Sequence, residues 1–178
     1  MRLLDRELIM ELLGQLDQEL GRRSVKGRLF VVGRSAIILA HSEDDEGTRD
    51  VDATLHPRDE VVSAAAAVAR RYSLATDWLN DAARIYLPAP DPSDPAAETV
   101  YEGTNVSVSA ASAPYVLAMK LRAGRAGRDE KDIELLCRLC GIRDSQDARD
   151  LYERFYPEDE LKRSSVAILE GVLDDGAR

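Results

Sequence analysis

The sequence predicts an α/β protein: a small mixed sheet flanked by helices, followed by a C-terminal helical bundle. Three observations carry this. Short β-like runs alternate with helical stretches as far as residue 112. From Pro114 onward, apolar residues recur only at helical spacing. The chain has 178 residues, 44% hydrophobic and 32% charged, the balance of an ordinary globular protein. That length holds one domain, or one small core with a helical extension. The expected division is residues 1–112 and 113–178, packed as one compact unit.

In the first helix, residues 2–21, Leu4, Leu8, Leu12, Leu13, Leu16 and Leu20 fall at helical spacing and Gly21 is the stop. Arg28–Val32 reads as a short strand broken at Gly33, and Ser35–His41 as a short helix. A polar loop, 42–47, leads to the alternating run Arg49–Leu55, a second strand. Arg58–Tyr72 is Ala-rich and helical, and Trp78–Ala83 reads as a short helix or turn. Five of the seven prolines lie in 88–97, an irregular surface loop. Thr99–Ser109 gives two strands around Glu102-Gly103. Pro114 stands where a helix should begin, and helices are expected at about 114–126, 129–140, 144–155 and 158–173.

Charge and composition narrow the function classes. The net charge of −9 argues against duplex DNA as a partner. Local basic clusters remain: Arg22, Arg23, Lys26 and Arg28, then Lys120, Arg122, Arg125 and Arg128. No apolar run approaches the roughly 20 residues of a membrane helix, so no membrane partner is expected. Charges within the first seven residues argue against a secretory signal and for a cytoplasmic protein. Cys137 and Cys140 form C-x-x-C, but His41 and His56 are both distant, so buried apolar thiols are the better reading than zinc.

Asp50 and Asp52 carry the first chemical signal. Residues i and i+2 of a strand share a face. Two carboxylates side by side repel, and a divalent cation relieves this. Oxygen ligands suit magnesium, which completes its shell with water and substrate phosphates. The alternative is a solvent-facing pair on an edge strand. Upstream, Gly33 and Ser35 sit at a strand-to-helix turn, where backbone N–H groups favour phosphate. The alternative there is an ordinary turn. Arg34 and Arg49 flank the acids, and Thr48 stands near the rim.

Lys120 is the second signal. At about 100° per residue it falls in the middle of the apolar face of its helix, whereas Arg122 and Arg125 point elsewhere. A lysine there needs a partner or a purpose. Asp129 and Asp132 lie on the inner side of the next helix. Either would make a paired ion site: a salt bridge between helices, or a lysine held for phosphate. Trp78-Leu79-Asn80-Asp81 reads as a cap under a buried Trp, with Asn80 or Asp81 as alternatives that reach the cleft. After Gly103 the strand offers hydroxyls and an amide, but no third carboxylate.

Taken together, the strand with Gly33-Arg34-Ser35, the helix, and Arg49-Asp50-Val51-Asp52 resemble a nucleotidyltransferase-fold protein. The continuation resembles the toxin-type branch of that superfamily (MenT and AbiEii-like proteins and their minimal relatives). Ala113–Leu121 is similar to its P-x-x-L-L-A-x-K-L helix. Ala123-Gly124-Arg125 and Arg128–Ile133 are similar to its A-x-R…R-D-x-x-D-I segment. Trp78–Asp81 resembles a feature of the minimal relatives. The resemblance spans residues 28–140.

That resemblance implies a nucleotidyltransferase-like sheet and a transferase. Asp50 and Asp52 would bind magnesium and catalyse. Gly33, Arg34 and Ser35 would hold the triphosphate. Lys120 would contact phosphate, supported by Asp129 or Asp132. It implies a nucleoside triphosphate donor, CTP or UTP favoured, a tRNA or other RNA 3′ end as acceptor, and a toxin–antitoxin role with a cognate antitoxin. Thr48 matches a hydroxyl that phosphorylation can block. Two features depart from the family pattern: Arg34 replaces its second glycine, and the third carboxylate is absent. These keep open a degenerate nucleotide- or partner-binding module. The acidic surface keeps open transfer to a cationic small molecule.

Overall fold

A computed structural model describes residues 3–42, 47–88 and 93–176. The expected loops at 42–47 and 88–97 lie partly outside the described residues. The chain forms two compact units, Met1–Ile85 with Ala96–Ala111, and Tyr86–Pro95 with Ser112–Arg178. It is a mixed α/β protein with a five-stranded sheet and seven α-helices among the described residues. None of these helices is long and apolar enough to cross a membrane.

Helix α1 (Arg6–Arg22) opens the first unit. Its start is set by Asp5, whose carboxylate accepts the Leu8 N–H at 2.8 Å. Leu4 lies before that cap and is not helical. It exchanges two backbone hydrogen bonds with Thr48, at 2.7 and 2.9 Å, so the helix begins four residues later than its leucine spacing suggests. The expected leucines, Leu8, Leu12, Leu13, Leu16 and Leu20, are all buried.

Strands β1 (Gly27–Val31), β2 (Val51–His56), β3 (Leu79–Asn80), β4 (Glu98–Glu102) and β5 (Val106–Ala110) form one sheet in the order β3-β2-β1-β5-β4. β1 runs antiparallel to β2 and parallel to β5. Period-2 alternation decides its two faces. Leu29, Val31, Val51, Ala53, Val106, Val108 and Ala110 point into the core with α1 and α3 (Arg58–Tyr72). Arg28, Phe30, Asp52, Thr54, His56, Ser107 and Ser109 point the other way. After β1 come α2 (Gly33–Ala36) and a π-helical turn, Ile37–His41, where one short helix was expected.

Trp78–Ala83 corrects the helix-or-turn reading. Leu79 and Asn80 pair in parallel with Val51 and Asp52, and a 3₁₀ turn, Ala82–Tyr86, follows. The cause is Trp78. Its ring is buried and its indole N–H donates to the Ala65 carbonyl at 3.0 Å. This ties the segment to α3 and leaves the next two residues extended along β2.

Two tight arrangements hold the first unit. Glu19 accepts from Arg22 at 2.6 Å, Arg23 at 3.0 Å and Arg71 of α3 at 2.9 Å. Arg71 is the largest influence on its carboxyl, which lies at about 2 rather than 4.5. A depressed carboxyl stabilises the fold above its ordinary pKa and loses that contribution as pH falls through the folded value. Glu19→Gln is therefore expected to lower the melting temperature near neutrality. The gap to wild type should close as pH drops from about 4.5 toward 2. A pH-independent gap in thermal melts would refute this.

The second arrangement is Asp17, whose Oδ1 accepts the Asn105 and Val106 N–H groups at 2.6 and 2.9 Å. Gly103 packs so closely that a Cβ there would overlap the Asp17 carboxylate and lie 2.8 Å from the Tyr101 ring. Gly103→Ala should displace this clamp and cost about 1–2 kcal/mol, the loss of partly buried hydrogen bonds to a carboxylate. Urea unfolding would read it; a change under about 0.5 kcal/mol is what an ordinary surface site gives.

The second unit contains α4 (Ala113–Ala123), α5 (Glu130–Cys140), α6 (Ser145–Phe155) and α7 (Arg163–Gly176). Pro114 lies in the first turn of α4. Asp144 caps α6, accepting from the Gln146 and Asp147 N–H groups. α7 begins at Arg163, not near residue 158. Asp159 instead bonds back to the Tyr156 carbonyl through its N–H and pairs with Arg122 at 2.9 Å. That turn uses the residues expected to open the helix.

Candidate active site

The sequence-predicted residues fall into two groups, one within each compact unit. In the first unit, Gly33, Asp50, Asp52 and Asn80 converge. The Val32 N–H donates to the Asp52 carbonyl at 2.9 Å, extending the β1–β2 ladder up to the turn. Gly33 then takes φ +64°, the left-handed region that favours glycine. A Cβ on Gly33 would stand 3.7 Å from Asp52 Oδ2, so this turn borders the carboxylate directly.

Asp50 lies one residue before β2, and Asp52 lies within it, on the face away from the core. Register places Asn80 beside Asp52. The Asn80 amide donates to Asp50 Oδ2 at 3.1 Å and to the Asp77 carbonyl at 3.3 Å, while its Oδ1 accepts the Ala82 N–H at 2.8 Å. That last bond orients the amide, so its NH₂ faces Asp50. Asp81 does not join the group. Arg58 grips it with bonds of 2.7 and 3.1 Å, and this pairing holds the Asp81 carboxyl below its usual value.

The remaining predicted residues take different places. Ser35 is buried, and its hydroxyl donates to the Val32 carbonyl at 3.1 Å, bracing the Gly33 turn from inside. Arg34 is half-buried and Arg49 exposed. Thr48 is buried in its bridge to Leu4.

Two carboxylates meet magnesium's requirement, since this ion binds through one or two protein carboxylates and takes substrate phosphates and water for the rest. No cluster of three or more His, Cys, Asp or Glu able to hold a metal occurs among the described residues. β5 supplies hydroxyls in place of an acid.

Lys120 centres the second group. Its ammonium donates to Asp129 Oδ1 at 2.7 Å and Asp132 Oδ2 at 2.6 Å. The three residues are 6%, 1% and 5% exposed. Arg125 adds two bonds to Asp129, at 2.8 and 3.2 Å. Burial alone pushes the Asp129 carboxyl up; Arg125 and Lys120 outweigh it, and the group lies below its ordinary value. Both acids face Lys120, so the choice between them resolves to a shared site. Arg125 was expected to point elsewhere. α4 ends at Ala123 and Gly124 turns into the left-handed region, so a helical projection no longer holds at Arg125. The usable signal was the four-residue spacing from Arg125 to Asp129.

The chain matches no family model, no curated protein and no solved structure. The thiols contribute nothing to either cluster. Cys137 is buried and Cys140 partly so, and burial pushes them up to about 12 and about 11. Burial therefore favours the protonated thiol at both positions, which makes them poor nucleophiles.

Proposed function

We propose that this chain is a magnesium-dependent nucleotidyltransferase. The observation that supports it most is the convergence of Asp50, Asp52 and Asn80 on the Gly33 turn. Asp50 and Asp52 would hold the ion. When bound, magnesium neutralises phosphate charge and favours the ionised acceptor hydroxyl. Asn80 holds the Asp50 carboxylate in place. Gly33, lacking a Cβ, leaves the backbone beside Asp52 open to a phosphate.

In the transfer, an acceptor 3′-hydroxyl oxygen bonds to the α-phosphorus of the nucleoside triphosphate. The bond from that phosphorus to the β-phosphate bridge breaks, pyrophosphate leaves, and the hydroxyl proton passes to solvent. Positioning and electrostatics supply most of the rate. A pyrimidine donor, a tRNA acceptor and a toxin role under an antitoxin follow from the family resemblance. Lys120 belongs to this reading as a scaffold lysine whose ammonium already meets two carboxylates. The phosphate roles of Arg34 and Ser35 and the regulatory role of Thr48 likewise rest on the resemblance.

A second reading, a nucleotide-binding module without transfer, draws on the missing β5 carboxylate and on Arg34. Incubating the protein with total tRNA, magnesium and each labelled triphosphate in turn separates the two. Label on RNA, lost in an Asp50→Ala/Asp52→Ala control, supports the transferase. Bound nucleotide with no label transferred supports the module.

A further inference from the structure

The parallel ladder between β1 and β5 stops one bond early. It opens with the Gly27 N–H on the Asn105 carbonyl at 2.7 Å and closes with the Ala111 N–H on the Val31 carbonyl at 2.9 Å. Bonds of a parallel pair are evenly spaced, so the next in line runs from the Gly33 N–H to the Ala111 carbonyl. It is not made. Gly33 has turned to φ +64°, and its N–H has no hydrogen-bond partner among the described residues. The Ala111 carbonyl is taken by His41 instead, whose Nε2 lies 2.7 Å away. A carbonyl only accepts, so Nε2 carries the proton. Ala111 is fully buried, and a buried carbonyl without a donor is costly. His41 thus fills the place that Gly33 vacates.

We infer that His41 is a positioning residue for the Gly33 turn. By satisfying the Ala111 carbonyl, it leaves the Gly33 N–H to donate to a phosphate oxygen of the nucleotide. This role rests on the transferase reading, in which that turn meets the triphosphate. Without the imidazole, the donor that the ladder itself supplies to Ala111 is the Gly33 N–H. Pairing those two would close the turn. Asp52, Val32 and Ala111 follow one another across the sheet, and Ala111 is two strands, about 10 Å, from Asp52. His41 therefore acts through Ala111 and Gly33, not on the reacting atoms.

The fold aims His41 at this carbonyl. α2 continues past Ala36 as the π-helical turn Ile37–His41, closed by the Ser42 N–H on the Ile37 carbonyl at 2.9 Å. That closure takes in one residue more than an α-helical turn, so His41 leaves the helix in a different direction from an α-helical continuation. Arg6 of α1 holds the turn from outside, donating to the Ile38 carbonyl at 3.2 Å. Gly33 and His41 thus stand at opposite ends of one helical stretch, and the Ala111 carbonyl links them.

The test is calorimetric titration of the full chain with each ribonucleoside triphosphate in magnesium buffer, beside the transfer assay and thermal melts. His41→Ala should weaken nucleotide binding about tenfold, the scale of one hydrogen bond to a charged group. His41→Gln carries an amide N–H that reaches about as far as Nε2, and should recover most of the lost affinity. Amide hydrogen exchange reads the turn directly. The Gly33 N–H should exchange fast in the wild type and in His41→Gln, and slowly in His41→Ala, where the ladder recaptures it.

A folded His41→Ala protein that binds nucleotide like wild type, or whose Gly33 N–H still exchanges fast, overturns the role. So does a loss of binding that His41→Gln fails to restore, since the ring and not its N–H would then matter. A slowly exchanging Gly33 N–H in the wild type overturns it with no variant needed. Wild type that binds no nucleotide overturns both this role and the transferase reading. Binding that follows the expected pattern, with no transfer by the wild type, keeps the role of His41 and removes the transferase reading alone.

Discussion

Asp52→Ala is expected to abolish nucleotide transfer while the protein stays folded. Asp52 faces away from the core, between the buried residues Val51 and Ala53. Its main-chain carbonyl accepts the Val32 N–H at 2.9 Å, a bond that alanine retains. The melting temperature should therefore move by no more than a few degrees, the usual result away from the core. The loss of rate should be at least on the order of 10²–10³-fold, the scale for removing one electrostatic group from a transfer site. Asp52→Asn, nearly the same shape without the charge, should be equally inactive. Label incorporation and thermal melts read the two quantities separately. A folded Asp52→Ala protein that still transfers nucleotide would sink the assignment.

Lys120→Met is expected to have the largest effect on stability. The substitution leaves Asp132 buried at 5% exposure without its ammonium partner, and leaves Asp129 with Arg125. Breaking a buried pair from one side costs about 3–5 kcal/mol. At roughly 2–4 °C per kcal/mol for a chain of this size, the melting temperature should fall by about 10 °C. Lys120→Met combined with Asp132→Leu should recover part of that loss, because an apolar pair replaces a buried carboxylate that has lost its ammonium. Transfer lost at an unchanged melting temperature would instead make Lys120 a phosphate ligand.

Much of the fold was legible because the two periodicities are distinct in this chain. Arg58–Tyr72 is helical over the span its alanines and flanking residues suggest, and Val51–Leu55 alternates as a one-sided strand should. The errors have local causes. Leu4 is drawn out of α1 by a partner 44 residues away, which no helical periodicity records. Trp78 is anchored on α3, so its neighbours become a strand that their own propensities do not demand.

The candidate site was half legible. Asp50 and Asp52 stand out by spacing. Asn80's place depends on parallel pairing of two residues with β2, and Arg125's on the end of a helix. Arg28, Phe30, His56 and Ser107 become neighbours on one sheet face only once register is known.

Tyr86–Pro95 belongs to the second unit although it lies between two stretches of the first. This segment leaves the first unit before that unit's sheet is complete. It meets the second through Tyr86, whose carbonyl accepts the Tyr156 hydroxyl, and Asp94, whose carboxylate accepts the Ser112 N–H at 2.7 Å. The chain then returns to supply β4 and β5. The two units are interleaved in sequence, so no single cut separates them. A fragment ending at residue 85 lacks two of five strands, including the parallel partner of β1. One ending at residue 111 keeps the sheet but strands a ten-residue segment without its partners. During synthesis, β1 must likewise wait for residues 106–110 before its second edge is paired.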